Sequence, residues 1–200
     1  THELYIWPPP VFPATPIWGN YAEVFRLFPF GNWVFNTVLV SFLATTGTVV
    51  SATVVAYSFA RFRYPGRDLL FMITLGTMMI PTEVTLIPQF LIFKQLEWLN
   101  TIRPLWIPAW FGGGAFNIFL LRQFIQTIPR ELDEAALIDG ASRLRTLISI
   151  IVPLIKPALA TSLVISLIWN WSDFMGPLVY LNSSSKFTLA LGLRFFDEWG

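Results

Sequence analysis

The chain has 200 residues, of which 54% are hydrophobic and 12% charged, with a mean hydropathy of +0.60. Soluble domains carry about 25% charged residues, so this composition indicates a protein whose solvent is lipid. The net charge of +1 gives no electrostatic case for nucleic acid or an acidic substrate. Cysteine is absent and the only histidine, His2, lies at the extreme end, so we expect no catalytic residue, no metal site and no cofactor.

The N-terminal segment is rich in proline and aromatic residues, as in WPPPVFPATP (Trp7–Pro16), and lacks the basic and apolar regions of a signal peptide. We expect residues 1–30 to be an extracytoplasmic segment and residues 31–200 to be the membrane domain. Because the chain starts at Thr1 rather than methionine, we expect it to be an internal piece of a longer membrane protein.

The first predicted span lies within residues 27–60, a stretch of 34 residues without a charged side chain. A spanning helix needs about 20 residues, and we place it near Trp33–Ala60. Small residues let helices approach closely in lipid, so we expect a packed interface along Ser41, Ala44, Thr45, Gly47, Thr48, Ser51, Ala52 and Thr53.

The next apolar stretch carries Glu83 as its only charge and is interrupted by Pro81 and Pro88. Because proline breaks or kinks helices, we expect a short helix near Leu69–Ile80, a bend, and a second helix near Leu86–Leu96.

Two further spans are predicted after this bend. The third lies near Trp106–Phe124, where Gly112–Gly114 form a flexible or closely packed stretch. The fourth covers residues 157–181, with Asp173 as its only charge.

The basic residues divide unequally between the two ends of the predicted helices. Eight fall at one end (Arg61, Arg63, Arg67, Arg122, Arg130, Arg143, Arg145, Lys156) and five at the other (Arg26, Lys94, Arg103, Lys186, Arg194). Lysine and arginine are enriched in cytoplasmic loops, so the first end is predicted to be cytoplasmic. The N-terminal segment, the 94–104 loop and the C-terminal segment are then extracytoplasmic.

The loop of residues 128–157 predicts two short helices joined by Gly140, which suits a left-handed cap, with Ser142 as the N-cap of the second helix. Leu132, Ala135 and Ala136 share one face of the first helix. The second helix has an apolar stripe of Leu144, Leu147, Ile148 and Ile151, and we expect it to end at Pro153, with Pro157 opening the next span.

Helices this short are marginal alone, so the pair needs a surface, either its own spanning helices or a partner protein. The small Ala135–Ala136 step allows close approach, and Glu134 offers a charge for a partner's arginine.

This loop resembles the EAA loop of ABC importer permeases, whose pattern is EAA, three residues, G, nine residues, I, any residue, L, P. Glu134, Ala135, Ala136, Gly140, Ile150 and Pro153 match it, while Val152 replaces the usual leucine. Further segments resemble the smaller, second permease of the maltose and glycerol-3-phosphate branch of carbohydrate-uptake permeases: Ala56–Asp68, Met79–Phe90, Phe119–Leu132 and Trp169–Leu181.

The resemblance implies an all-α fold, a polytopic transmembrane helical bundle of the type I ABC importer permease kind with a cytoplasmic coupling helix pair. It implies that the first and last of about six family spans are missing here. It also implies that an ATP-hydrolysing subunit docks on Glu134, Ala135, Ala136, Asp139 and Gly140. The alternative is that these residues only shape a cytoplasmic turn.

The implied partners are a second permease, two ATP-binding subunits, an extracytoplasmic solute-binding protein, the lipid bilayer and a small-molecule substrate, a sugar. The implied location is the bacterial plasma (inner) membrane, crossed several times. The chain is not expected to be an enzyme, because its lysines are followed by Gln95, Pro157 and Phe187 and so fit no phosphate-binding G-x-x-x-x-G-K-[ST] loop. Closure of the ATPase subunits would move the helix pair and, through Pro153 and Pro157, turn the fourth span.

Asn170 and Asp173 are candidates for the substrate pathway, because polar groups inside membranes are costly and tend to be functional. The neighbouring Trp169 and Trp171 suit the stacking of sugar rings. Alternatively, Asn170 and Asp173 bond to neighbouring helices or lie near water at the outer end. Glu83 is a further pathway candidate, with a place at the bend near the outer interface as its alternative.

We therefore expect a permease subunit of an ATP-driven importer for a sugar or sugar derivative. The alternative is a permease of the same superfamily for a non-sugar solute such as a peptide or polyamine. A membrane-embedded enzyme would need a cluster of catalytic groups, and none occurs in the sequence. A plain channel subunit would not need a helix pair for a soluble motor.

Overall fold

The computed structural model describes residues 18–197, and all regular elements within that range are helical. Residues 1–17, and with them most of the predicted extracytoplasmic segment and His2, lie outside the described range. The α-helices are α1 Gly19–Leu27, α2 Phe30–Arg61, α3 Arg67–Gly76, α4 Thr82–Gln95, α5 Arg103–Trp106, α6 Ala115–Thr127, α7 Glu131–Ile138, α8 Arg143–Thr146, α9 Val152–Leu154, α10 Lys156–Ser172, α11 Met175–Tyr180 and α12 Leu189–Asp197.

Helix α2 confirms the first predicted span and forms the axis of the bundle. Its small residues Ser41, Ala44, Thr45, Gly47, Ala52 and Thr53 are buried, as expected for a row that lets other helices approach closely. Helices α6, α10 and α12 and the 3-10 turn Ile107–Trp110 pack around it.

The second span is bent, as the prolines predict. Helix α3 continues through the 3-10 turn Thr77–Met79, and its axis meets that of α4 at 101°. The bend lies at Pro81, which precedes the first residue of α4. The second helix begins earlier than predicted, at Thr82 rather than near Leu86, so Pro88 lies in the interior of α4 rather than in its first turn.

The third span is present near the predicted Trp106–Phe124, as the helical segment Arg103–Thr127, and it is interrupted before its glycines. Helix α5 passes into a 3-10 turn that ends at Trp110, and three glycines with positive φ precede α6. Gly113, at φ +65°, lies against the backbone of α2, where a Cβ would collide with Ala52 N and Thr48 O. Only glycine meets both demands, so the stretch is closely packed rather than flexible.

The fourth span also differs from its prediction. It was expected over residues 157–181, but α10 ends at Ser172, and Asp173 takes an extended conformation before α11 begins. The helix that begins at Arg143 continues through a π-helical turn to Leu154, so it ends one residue after Pro153, as the sequence predicts, and the 82° break comes at Ile155.

By length and composition, two helical segments of the described part can cross a membrane, Phe30–Arg61 and Arg103–Thr127, and four can do so if each bent pair is one span. Two buried clusters hold the bundle together. The larger joins α2 to α3, α6 and α10 around Tyr57, Leu121 and Ile151, and the smaller surrounds Trp33 and Leu191.

The 94–104 loop and the C-terminal segment lie at the same end of α2, as the sequence predicts. Asn100 Nδ2 donates to Ser183 Oγ at 2.8 Å, and Trp33 Nε1 near the start of α2 donates to the carbonyl of Ser184 at 2.8 Å. The other end of α2 meets the 128–157 loop, where Arg61 Nη2 donates to the carbonyl of Ile128 at 2.9 Å.

Candidate functional site

The predicted loop helices are present, and their caps are those that the sequence predicts. Gly140, at φ +78°, follows α7, and the backbone N–H groups of Gly140 and Ala141 donate to the carbonyls of Leu137 and Ala136 at 3.0 and 2.9 Å. This is a Schellman cap, whose left-handed residue favours glycine. Ser142 Oγ accepts from the Arg145 N–H at 3.3 Å and begins α8.

The candidate docking residues lie together on α7 and the turn that follows it. Glu134, Ala135, Asp139 and Gly140 are exposed, whereas Ala136 is only 5% exposed. The predicted face of Leu132, Ala135 and Ala136 is therefore not the buried one. Asp133 and Ala136 face inward instead, and Leu132 points outward.

The inward turn of α7 follows from a buried charge pair. Arg61 Nε lies 3.1 Å from Asp133 Oδ2, with side-chain exposures of 4% and 7%. This contact lacks hydrogen-bond geometry, but Tyr57 Oη donates to Asp133 Oδ1 at 3.3 Å. Arg130 Nη2 donates to the carbonyl of Ala60 at 3.5 Å. Ionised side chains are seldom buried unless paired, so these contacts fix which face of α7 is inward.

A cleft of about 150 Å³ opens beside Glu134 and is lined by Arg61, Arg130, Asp133, Leu137 and Arg143. On the second helix, Leu147 and Ile151 of the predicted stripe are buried, but Leu144 and Ile148 are exposed. The surface around Glu134 thus combines charged groups with apolar side chains that the described part of this chain leaves exposed.

A second cavity, of about 260 Å³, lies between α2, α10 and the glycine turn, and its lining includes Thr48, Phe111, Asn117, Trp169 and Asn170. The half-buried Asn170 Nδ2 donates to Thr45 Oγ1 at 3.2 Å and to the Ser166 carbonyl at 2.8 Å. Asn170 therefore links α10 to α2 and also borders the cavity. The wall of this cavity includes the hydroxyl of Thr48 and the indole of Trp169.

Asn117, which the sequence analysis did not select, lies at the centre of a buried polar ladder. Its exposure is 2%, and its Oδ1 accepts from Ser162 Oγ at 2.7 Å and Ser166 Oγ at 3.5 Å. Ser162, Ser166 and Asn170 recur at four-residue spacing on α10, so they share one face. The sequence contained one indication of this role, since Asn117 is a polar residue within an uncharged, largely apolar stretch.

The other two pathway candidates do not line this cavity. Asp173 lies beyond the end of α10, and its Oδ1 accepts from the Gly176 N–H at 3.2 Å. Glu83 is exposed in the first turn of α4, beside the bend. No group of three or more metal-ligating side chains occurs within residues 18–197.

Comparisons with known proteins identify the family. Residues 49–198 match the family described as binding-protein-dependent transport system inner membrane component. The osmoprotective compounds uptake permease protein GgtD of Synechocystis sp. is 36% identical over 167 residues, which cover 84% of this chain and 56% of the relative. The sn-glycerol-3-phosphate transport system permease protein UgpE of Yersinia enterocolitica is 33% identical over 96% of this chain and 70% of its own length.

A solved structure has the same fold. It is a crystal structure of a bacterial ABC transporter involved in the import of the acidic polysaccharide alginate, with a TM-score of 0.81 and 27% identity, covering 94% of this chain and 64% of that one. This chain thus spans between about half and 70% of the length of these similar proteins. With three quarters of its residues inside the family match, the chain belongs to the binding-protein-dependent transport system inner membrane components.

Proposed function

We propose that this chain forms one permease subunit of an ATP-driven importer that carries a sugar or sugar derivative inward by alternating access. The observation that carries the proposal is the outward face of α7 together with the capped turn that follows it, which present Glu134, Ala135 and Asp139 to the outside of the bundle. The partners are a second permease, two ATP-binding subunits and an extracytoplasmic solute-binding protein, in a multi-pass assembly of the bacterial inner membrane.

Docking of an ATPase subunit on α7 is supported by the exposure of its outward face. Glu134 offers a carboxylate to a basic partner residue, and Ala135 allows close approach. Gly140 keeps the turn compact, and Ala136 supports the helix from the inside. ATP hydrolysis belongs to the partner, and this chain converts the partner's movement into a change of access.

A substrate path along the Asn170 cavity is supported by its wall. Trp169 contacts Phe116, with ring centroids 5.6 Å apart, and much of its indole remains exposed. The exposed part is available for stacking on a ring-shaped solute. Asn170 and Thr48 supply polar groups for hydroxyls. Asp173 and Glu83 would act elsewhere along the path, at the end of α10 and at the bend before α4.

The names of the similar proteins favour a sugar-type solute. Two of them are named for glycerol-3-phosphate and for the polysaccharide alginate, and a third for osmoprotective compounds. A non-sugar solute such as a peptide or polyamine remains the alternative, and a direct measurement separates the two.

The test is to purify the full-length protein with the products of neighbouring genes, reconstitute the complex in lipid, and measure ATP hydrolysis with the solute-binding protein present. We expect an ATPase subunit to co-purify and a sugar or sugar derivative to stimulate hydrolysis. Purification without an ATPase subunit would contradict the proposal, and stimulation by a peptide or polyamine instead would establish the alternative.

A further inference from the structure

We propose that Tyr57, Arg61 and Asp133 form a latch through which α2 moves together with the docked helix α7. The proposal rests on the function proposed above and concerns the route by which movement of α7 enters the membrane domain. The sequence predicts a route along the chain, through Pro153 and Pro157 to α10. The latch adds a direct route to α2, for which Arg61 and Asp133 are positioning residues.

The contact between α7 and the last turn of α2 is polar and centred on the buried carboxylate of Asp133. Asp133 is approached by Arg61 Nε at 3.1 Å and by Tyr57 Oη at 3.3 Å. On either side of this centre, Arg61 Nη2 reaches the Ile128 carbonyl at 2.9 Å and Arg130 Nη2 reaches the Ala60 carbonyl at 3.5 Å. Donors thus lie on both sides of the contact: Arg61 on α2 and Arg130 just before α7.

Burial of the latch opposes the separation of α7 from α2. The side chains of Arg61 and Asp133 are 4% and 7% exposed, so pulling α7 away from α2 would leave each charge without its partner before water reaches it. At the same end of the bundle, the pair of Arg67 and Asp68 has side-chain exposures of 24% and 72%, and water can replace it at little cost.

The route along the chain passes through three irregular points, which the direct contact with α2 avoids. Between α7 and α10 lie the turn at Gly140, the π-helical turn Leu147–Ile151 and the 82° break at Ile155. Helix α2, in contrast, is continuous from Phe30 to Arg61 and contacts α6, α10 and α12. A displacement of α7 through the latch would therefore be carried along the whole of α2 without an intervening break.

The test uses Asp133→Asn in the full-length protein assembled with its ATPase, second permease and binding protein. We expect the ATPase subunit to co-purify and basal ATP hydrolysis to stay within about twofold. Solute transported per ATP should fall about tenfold, inside the roughly 5- to 150-fold range of coupling between distant sites. Asp68→Asn, which removes the exposed pair, is the matched control and should leave the ratio unchanged.

A distance measurement separates a latch from a static anchor. The sequence has no cysteine, so single cysteines at Phe42 on α2 and Ile168 on α10, both exposed, can each carry a spin label opposite a label on the ATPase subunit. In Asp133→Asn we expect the ATP-dependent shift at Phe42 to be lost and that at Ile168 to persist. An unchanged shift at Phe42, or loss of both shifts, would overturn the latch.

A second variant keeps the test decisive if Asp133→Asn does not assemble. Arg61→Met combined with Asp133→Leu removes both charges and leaves neither buried alone. It should assemble and show the same loss at Phe42, and a normal shift there would again refute the latch. If the unsubstituted protein binds no ATPase, the proposed function itself fails, which is a distinct result.

Discussion

Asn117 Oδ1 accepts a hydrogen bond from Ser162 Oγ at 2.7 Å, and both side chains are almost fully buried between α6 and α10. We expect Asn117→Leu to lower the free energy of unfolding by about 1–2 kcal/mol, because it leaves the Ser162 and Ser166 hydroxyls without this acceptor and breaks an interhelical bond. Thermal unfolding of the purified protein in detergent measures the effect. The matched control is Gln123→Leu, an exposed amide on the same helix, and equal losses in the two variants would contradict the assigned role.

The close approach of Gly113 to α2 gives a second prediction. Gly113→Ala adds a Cβ that collides with backbone atoms of Thr48 and Ala52, at a residue whose φ is +65°. We expect a loss of more than about 2 kcal/mol from overpacking and backbone strain together. Gly76→Ala is the control, since a Cβ there meets nothing within 4 Å. The yield of folded protein and its unfolding temperature report both effects, and a folded, equally stable Gly113→Ala protein would show that the turn is not constrained.

Charge reversal on α7 tests the proposed docking surface. We expect Glu134→Lys to lower solute uptake at least about tenfold, because it replaces a charge-assisted contact with repulsion against a basic partner. The amount of protein in the membrane should not change, because Glu134 is exposed. Uptake by membrane vesicles and co-purification of the ATPase are the measurements. Glu131→Lys reverses a charge on the same helix and should have a smaller effect, while normal uptake by Glu134→Lys would exclude its docking role.

The two tryptophans near the end of α10 provide a matched pair for the pathway. Trp169 lines the 260 Å³ cavity, whereas Trp171 is not among its lining residues. Aromatic contacts are worth about 0.5–1.5 kcal/mol, so we expect Trp169→Ala to slow uptake about 2- to 12-fold. Trp171→Ala should have little effect. The measurement is the rate at which labelled solute enters vesicles that contain the full complex. A larger loss in Trp171→Ala than in Trp169→Ala would place the path elsewhere.

Features that depend on neighbouring residues could be predicted from the sequence. The small residues of α2, the left-handed cap at Gly140 and the cap at Ser142 were all recognisable, because each depends on residues within about one or two helical turns. The bend at Pro81 was predictable for the same reason.

Features that depend on tertiary contacts were not predictable. Tyr57 and Asp133 are 76 positions apart, and no spacing rule links them. Their contact turned α7 so that Asp133, rather than Leu132, faces inward. Hydropathy also could not locate the end of α10, because the residues that follow Asp173 are apolar again while the backbone changes direction at Asp173.

The length of α2 has a consequence for how it lies in a bilayer. At about 1.5 Å per residue its 32 residues extend about 48 Å, against a hydrocarbon thickness of about 30 Å. Even a tilted rod of this length carries its terminal turns among the lipid headgroups. Arg61, at the end of α2, then lies outside the hydrocarbon interior. A force that acts on Arg61 from the aqueous phase can therefore be transmitted along a stiff helix whose other end, before Trp33, reaches the opposite headgroup layer.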